Sequence, residues 1–305
     1  MQRYLIKRIF QMLIVVFLAL TAVFFMQFLA GDPVILLLPM DATYEEIAEM
    51  RQRLGFEDSI FVQYFRFVSR ALRGDFGQSL RHPQTAVQLV FSRIPATLEL
   101  ALIAVVVSLL VAIPIGVLSA AFRGSWFDQI AIVITVFGQA VPGFWLGIML
   151  ILFFAVTLEW LPTGGRGELN NLILPIITLT AFYAARFARM TRSTVLDVLN
   201  TDYIRTARAK GLTERRILYK HALRNASISI ITLLGLQLGQ LLGGAVVTET
   251  VFYWPGLGRL LVQSLLNRDF PVVFTGVFFI AVVHASLNLV VDLVYLLVDP
   301  RISYD

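Results

Sequence analysis

The chain has 305 residues, 58% of them hydrophobic and 15% charged, with a mean hydropathy of +0.78; soluble domains run at roughly 45–50% apolar and 25% charged, so one water-soluble core is excluded and an integral membrane protein is the first reading. Cysteine is absent, which excludes disulfides, thiolate metal sites and cysteine nucleophiles. The net charge of +5 is read as basic cytoplasmic loops rather than a nucleic-acid surface.

Arg3, Lys7 and Arg8 precede an apolar run from Ile9 to Leu29. A secretory signal has an apolar stretch of only about 7–15 residues. This run reaches the roughly 20 residues that a bilayer requires, so it is predicted to be an uncleaved first helix with its N-terminus inside. Residues 30–95 form a long loop containing two predicted helices. Thr43 with Glu46 three residues on makes a capping box. Ile47, Met50 and Leu54 then share one face, and Gly55 is a stop. Ser59 caps the second helix, with Phe61, Phe65, Val68 and Leu72 on one side and Gly74 after it. The pair is read as lying on the outer membrane surface, covering a pore mouth, or packing structurally.

Further spans are predicted over Leu98–Ala121, Ile130–Leu158, Leu172–Met190, Ala226–Val247 and Val272–Val298. The fourth contains Pro175 and ends in Arg186 and Arg189, whose stems can reach the interface. Six spans with the N-terminus inside put fifteen Lys and Arg residues on the inner side. The short outer loops then hold three, namely Arg166, Arg259 and Arg268. That bias follows the positive-inside rule and makes both termini cytoplasmic. The predicted organisation is a cytoplasmic end and first span over 1–29, an extracytoplasmic helical loop over 30–95, and a five-helix core over 96–305 with a cytoplasmic loop at 191–225.

Catalysis needs converging groups, and the topology separates His82, His221 and His284. No Gly-Lys dipeptide occurs, so there is no phosphate-binding loop of the G-x-x-x-x-G-K-[ST] kind. The chain is therefore expected to hold no catalytic residue, metal or cofactor of its own. Other features suit a passage. Gly235, Gly239 and Gly243 recur every four residues and let another helix approach closely. Gln237 and Gln240 on the same helix face a partner helix or a water-filled path, as buried amides in lipid are costly. Gly143 and Gly147, after Pro142, suggest a similar helix contact. Glu99 sits near a span end and can reach the interface. Asp292 lies deeper, and with His284 and Asn288 it forms one polar stripe, open to helix pairing or to substrate.

The stretch 191–225 is the most informative. It reads as two short helices, the first ending at Gly211 in a left-handed conformation and the second capped by Thr213, with Glu214 in its first turn. Ala207, Ala209 and Gly211 give a protruding knob of little bulk. Such a knob suits a groove on a soluble partner. A basic loop lying on anionic lipid explains the charges but not the small residues.

This segment resembles the cytoplasmic signature loop of ABC importer permeases, whose general pattern is Glu-Ala-Ala, three residues, Gly, nine residues, Ile-x-Leu-Pro. Ala207 and Leu223 are in place. Arg205, Thr206, His221 and Arg224 stand where the pattern has Glu, Ala, Ile and Pro. These departures fit the variant form of dipeptide and oligopeptide permeases, with Arg-Thr-Ala-Arg-Ala-Lys-Gly at 205–211 and His-Ala-Leu-Arg-Asn at 221–225. The likeness extends over nearly the whole chain, through Gly31-Asp-Pro33, Gly74-Asp-Phe-Gly77, Trp160-Leu-Pro162, Glu249 to Gly258, Asn267-Arg-Asp269 and the tail from Val291 to Arg301.

The resemblance implies an all-α integral membrane protein with six transmembrane helices, the type I ABC importer permease fold, of the first-permease type with a helical first outer loop. It implies a bacterial or archaeal inner membrane and transport by alternating access. It further implies a second homologous permease, two ATP-binding subunits carrying ATP and Mg, and an extracytoplasmic substrate-binding protein. Arg205, Ala207, Arg208, Ala209, Lys210, Gly211 and Leu212 would couple to the ATPases. Gln237, Gln240, Glu249, Gly256, Gly258 and Asp292 would line the path or gate, with Gly235, Gly239 and Gly243 packing helices. Relatives of this kind carry dipeptides, oligopeptides, glutathione, nickel complexes or opine-like compounds. A stand-alone secondary transporter or channel, and a membrane-embedded enzyme, are the rival readings.

Overall fold

The computed structural model describes residues 2–29, 38 and 42–298, and gives the backbone alone for 2–5, 7, 27–29, 53–54, 238–244 and 291–298. Gly31 to Pro33, Asp299 and Arg301 lie outside the described residues. So do the side chains at Gly239, Gln240, Gly243 and Asp292. The described chain is helical: α1 (Gln2–Leu29), α2 (Tyr44–Leu54), α3 (Ile60–Leu72), α4 (Ala86–Ala121), α5 (Trp126–Ala140), α6 (Gly143–Leu150), α7 (Asn170–Leu199), α8 (Asp202–Ala209), α9 (Glu214–Arg216), α10 (Leu223–Val251), α11 (Leu257–Leu266) and α12 (Phe270–Val298). α6 runs on as a π-helical stretch over Ile151–Thr157, and another, Ile217–Ala222, joins α9 to α10.

Among the described residues, four helices are long and apolar enough to cross a membrane: Arg8–Met26 within α1, then α4, α7, and Phe270–Val290 within α12. The third predicted span is corrected. Ile130–Leu158 is not one helix; it breaks between α5 and α6, which are bent by 101°. The cause is Pro142. Its ring disfavours the helical conformation at the preceding residue, and Val141 is accordingly extended at φ −74°, ψ 124°. The fifth predicted span lies within α10. α7 overshoots the predicted end at Met190 and continues to Leu199.

The chain divides into two compact units, one of residues 1–95 and 256–286, the other of 96–255 and 287–305. In the first, the capping box forms as expected. The Thr43 hydroxyl accepts from the Glu46 N–H at 3.3 Å, and the Glu46 carboxylate accepts from the Thr43 N–H at 2.8 Å. Gly55 closes α2 at φ 73°. α3 packs on α1 through Phe67 over Phe24, with ring centroids 5.4 Å apart, and through a 2.7 Å hydrogen bond between Tyr64 and Thr21. The stripe read from the sequence is the neighbouring face, not the one against α1. Phe61, Phe65 and Leu72 stay outside at 75, 70 and 84% exposure.

The loop after α3 folds back on itself. Ala86 N–H donates to Gly77 C=O at 3.0 Å. Buried Asp269 accepts from the Leu80 N–H at 3.0 Å and from the Ser79 hydroxyl. Two of the motifs read from the sequence, Gly74 to Gly77 and Asn267 to Asp269, thus belong to one loop scaffold.

In the second unit α7 packs against both α5 and α10. The core is Leu100, Ala104, Leu179, Tyr183, Phe187, Ile230 and Trp254. Small residues set the spacing. A methyl on Gly116 would meet Ala188 C=O at 2.7 Å, and one on Gly138 would meet Ala181 C=O at 2.9 Å. Gly235 is buried as well. Gly147 contacts the Phe252 ring, but Gly143 faces open space, so only one of that predicted pair is a packing contact. A buried ion pair crosses from α5 to α7. Asp128 takes Arg192 Nε at 2.7 Å and Nη2 at 2.8 Å, along with the Ser119 hydroxyl and the Gly124 N–H.

Candidate functional site

The segment after α7 forms a bracket. α8 buries Ile204 and Ala207 against Ile217, with Val198, Leu199 and Leu212 around them. α8 then stops. Leu212 N–H reaches back to Ala207 C=O at 3.3 Å, Gly211 N–H to Arg208 C=O at 2.9 Å, and Gly211 takes φ 76°. That is the left-handed helix terminus that favours glycine. A Cβ built at Gly211 finds nothing within 4 Å. The turn therefore projects freely, tipped by exposed Ala209, Lys210 and Gly211 and flanked by exposed Arg205 and Arg208.

Two expectations need correction here. Ala207 is not on the knob surface; at 7% exposure it is the contact that lets α8 lie close to the next helix. The second short helix is not separate. α9 has three residues and passes through the π-helical turn straight into α10. Thr213 does occupy the N-cap position with extended backbone, but its side chain makes no capping hydrogen bond. The turn is braced instead by Arg208, which holds Glu214 with two hydrogen bonds of 2.7 and 3.3 Å. This guanidinium holds the Glu214 carboxyl below the usual range, first through that hydrogen bond. A spacing of six residues across a glycine turn was the available signal for this pair.

The variant motif at 221–225 has a packing role. Ala222 is fully buried with Val117, Ala120, Val195 and Ala226. Asn225 donates to the Tyr203 hydroxyl, which in turn donates to His221 C=O at 3.4 Å. α8 is thereby tied to the base of α10.

The predicted path residues fall in different places. Gln237 is buried on α10 and accepts from Arg186 Nη1 at 3.3 Å. Arg186 also stacks over Phe182, 4.5 Å from the ring centroid. Glu249, further along α10, is fully buried and accepts from the Thr97 hydroxyl at 2.6 Å. It belongs to a second knot. Trp254 donates to Ala96 C=O at 2.8 Å. Gly165 N–H donates to Phe252 C=O at 2.8 Å, and Asn171 donates to Gly164 C=O at 2.7 Å. Glu99, expected only to reach the interface, pairs with Arg166 at 2.6 Å. Thus the stretch from Ala96 to Glu99, the end of α10 with Trp254, and the loop after Trp160 meet, which no sequence spacing announces. Gly256 and Gly258 fall in the other unit, where Gly256 caps α11 and Gly258 is buried. His284 and Asn288 are each exposed on α12. Among the described residues no group of three His, Asp or Glu could hold a metal.

The family model described as "Binding-protein-dependent transport system inner membrane component" matches residues 112–304, and its N-terminal companion matches 1–101. The chain belongs to this family. The permease is 41% identical, over 100% of both chains, to proteins named glutathione transport system permease protein GsiC from Escherichia coli K12 and Salmonella paratyphi A. Its fold is similar to a chain of the inward-facing MetNI methionine ABC transporter, with TM-score 0.60, 21% identity, and coverage of 70% of this chain and 97% of that one. It is thus an inner-membrane, multi-pass permease subunit of a binding-protein-dependent ABC importer. It works with ATPase and binding-protein partners and does not itself catalyse.

Proposed function

We propose that this permease forms half of a translocation path for peptides, of di- or oligopeptide or glutathione size, opened alternately to the two sides by partner ATPases. The relatives named for glutathione, itself a tripeptide, support that substrate class. The assembly is a pair of homologous permeases with two ATP-binding subunits holding ATP and Mg, served by an extracytoplasmic binding protein. Each permease spans six times in the type I manner, α5 and α6 counting as one broken span and α10 as the fifth. Both termini are cytoplasmic.

The observation that carries the docking assignment is the bracket at 201–225. It is packed internally by Ile204, Ala207 and Ile217, tied to α10 by Tyr203 and Asn225, and bare at Ala209 to Gly211. A rigid, slim projection with a cationic rim fits a groove on a soluble subunit, and movement of that subunit is passed directly to α7 and α10. Glu249, with Gly256 and Gly258, contributes to the outer gate; Gln237, Gln240 and Asp292 contribute to the path.

The test uses Ala209→Trp, which adds bulk on an exposed helical residue without backbone strain. Gly211→Asn serves as control, because Asn tolerates the left-handed region. Ala209→Trp should abolish uptake and co-purification of the ATPase, whereas Gly211→Asn should retain both. Normal ATPase recovery and uptake with Ala209→Trp would remove the docking assignment. Uptake that survives ATP depletion and follows an ion gradient would instead establish a secondary transporter.

A further inference from the structure

We infer that α3 is an interfacial helix seated on the outer leaflet of the bilayer, with Phe61, Phe65 and Leu72 in the acyl region and Arg73 at the lipid phosphates. The inference rests on the proposed orientation, which puts residues 30–95 outside.

The helix has two apolar faces of different use. Tyr64, Phe67 and Ala71 face inward: Tyr64 bonds Thr21, Phe67 stacks on Phe24, and Ala71 packs with Val16 and Leu20. The neighbouring stripe of Phe61, Phe65 and Leu72 is left bare at 70% exposure or more. Around the helix from that stripe lie Arg66, Arg70 and Arg73. Arg66 pairs with Asp58 at 2.6 Å and Arg70 with Asp75 at 2.9 Å. Arg73 is exposed and pairs with no carboxylate among the described residues.

Three bare large apolar side chains on one helix are costly in water at about 25 cal/mol per Å². Something covers them. Three observations choose lipid. The helix hangs on α1 at Thr21 and Phe24, both inside the Arg8–Met26 candidate span, so it sits at membrane depth rather than in bulk water. Its bare stripe accompanies a bare face of α1, where Phe17, Leu18, Phe25 and Met26 are half exposed. Its polar side is wholly cationic where it carries charge, with arginine and no carboxylate within Ile60–Leu72. A Phe/Leu face opposite an Arg face marks helices lying in the headgroup boundary, and arginine there reaches phosphate oxygens with its stem in the apolar layer.

The absence of native cysteine permits a direct test. Phe65→Cys, Leu72→Cys and Arg73→Cys are spin-labelled in the full-length permease with its co-purifying subunits, in liposomes of phosphatidylethanolamine and phosphatidylglycerol. Collision with oxygen, which partitions into lipid, is compared with collision with a water-soluble nickel chelate. Positions 65 and 72 should favour oxygen several-fold, and position 73 should favour nickel. High nickel access at 65 and 72 overturns the inference in favour of an open aqueous face. Low access to both reagents overturns it in favour of a covering protein. Membrane-impermeant maleimide applied to intact cells should label Arg73→Cys from outside. Labelling only after permeabilisation would overturn the orientation, while the collision data still decide the lipid contact.

Discussion

The Asp128–Arg192 pair is the strongest internal tie between α5 and α7, and Arg192→Ala measures it. Asp128 is 1% exposed. It holds two oxygens satisfied by two guanidinium hydrogen bonds, the Ser119 hydroxyl and the Gly124 N–H. Removing the arginine leaves a buried carboxylate with two donors. Breaking a buried pair from one side costs about 3–5 kcal/mol. Arg192 is 25% exposed, which places the loss near the lower end, about 3 kcal/mol. For a chain of this size that lowers the unfolding midpoint by roughly 6–12 °C. The double variant Asp128→Asn/Arg192→Ala carries no uncompensated charge and should unfold at a higher temperature than Arg192→Ala alone. The assay is thermal unfolding of the permease in detergent, followed by tryptophan fluorescence. A loss under about 2 °C for Arg192→Ala, or strictly additive losses in the cycle, would refute the reasoning.

Gly164→Ala should destabilise by about 1–3 kcal/mol, because its methyl would lie 2.0 Å from Phe252 C=O; a shifted unfolding midpoint checks it, and an unchanged one removes the close approach. Trp254→Phe leaves the buried Ala96 carbonyl without its 2.8 Å donor and should cost about 1–3 kcal/mol by the same assay. Glu214 is depressed below its usual range by Arg208, so its contribution to the turn is present above the unfolded carboxylate value, about pH 4.3, and is lost as pH falls through the lower folded value. Protection of the Lys210 to Leu212 amides, taken relative to their intrinsic exchange rates at each pH, should therefore be lost only below the unfolded carboxylate value, and Glu214→Gln should show the reduced protection throughout.

Local signals were legible. Thr43, Glu46 and Gly55 lie within one helix and its two ends, so their chemistry is fixed by spacing alone. The left-handed stop at Gly211 was equally local. Long-range pairs were not legible. Asp128 finds Arg192 on another helix, and Glu249 finds Thr97 from the far end of the second unit; neither partner is marked by spacing. The α3 stripe gives a third lesson. Period identifies Phe61, Phe65 and Leu72 as one face, but it does not say whether protein or lipid lies against it. Pro142 shows the reverse: the residue that breaks the helix after Ala140 stands in plain view, but the unbroken apolar run on either side reads as one continuous span.

The break at Val141 and Pro142 has a consequence for how the chain can exist in a membrane at all. Hydrocarbon offers no partner to backbone groups freed by an interrupted helix, and such breaks persist only where protein or a water column meets them. Ala140, Pro142 and Gly143 are exposed in the single chain. In the proposed six-span arrangement the kink is therefore a vacancy in the protein–lipid boundary: a solitary copy would present polar backbone to acyl chains until protein or water closes that gap.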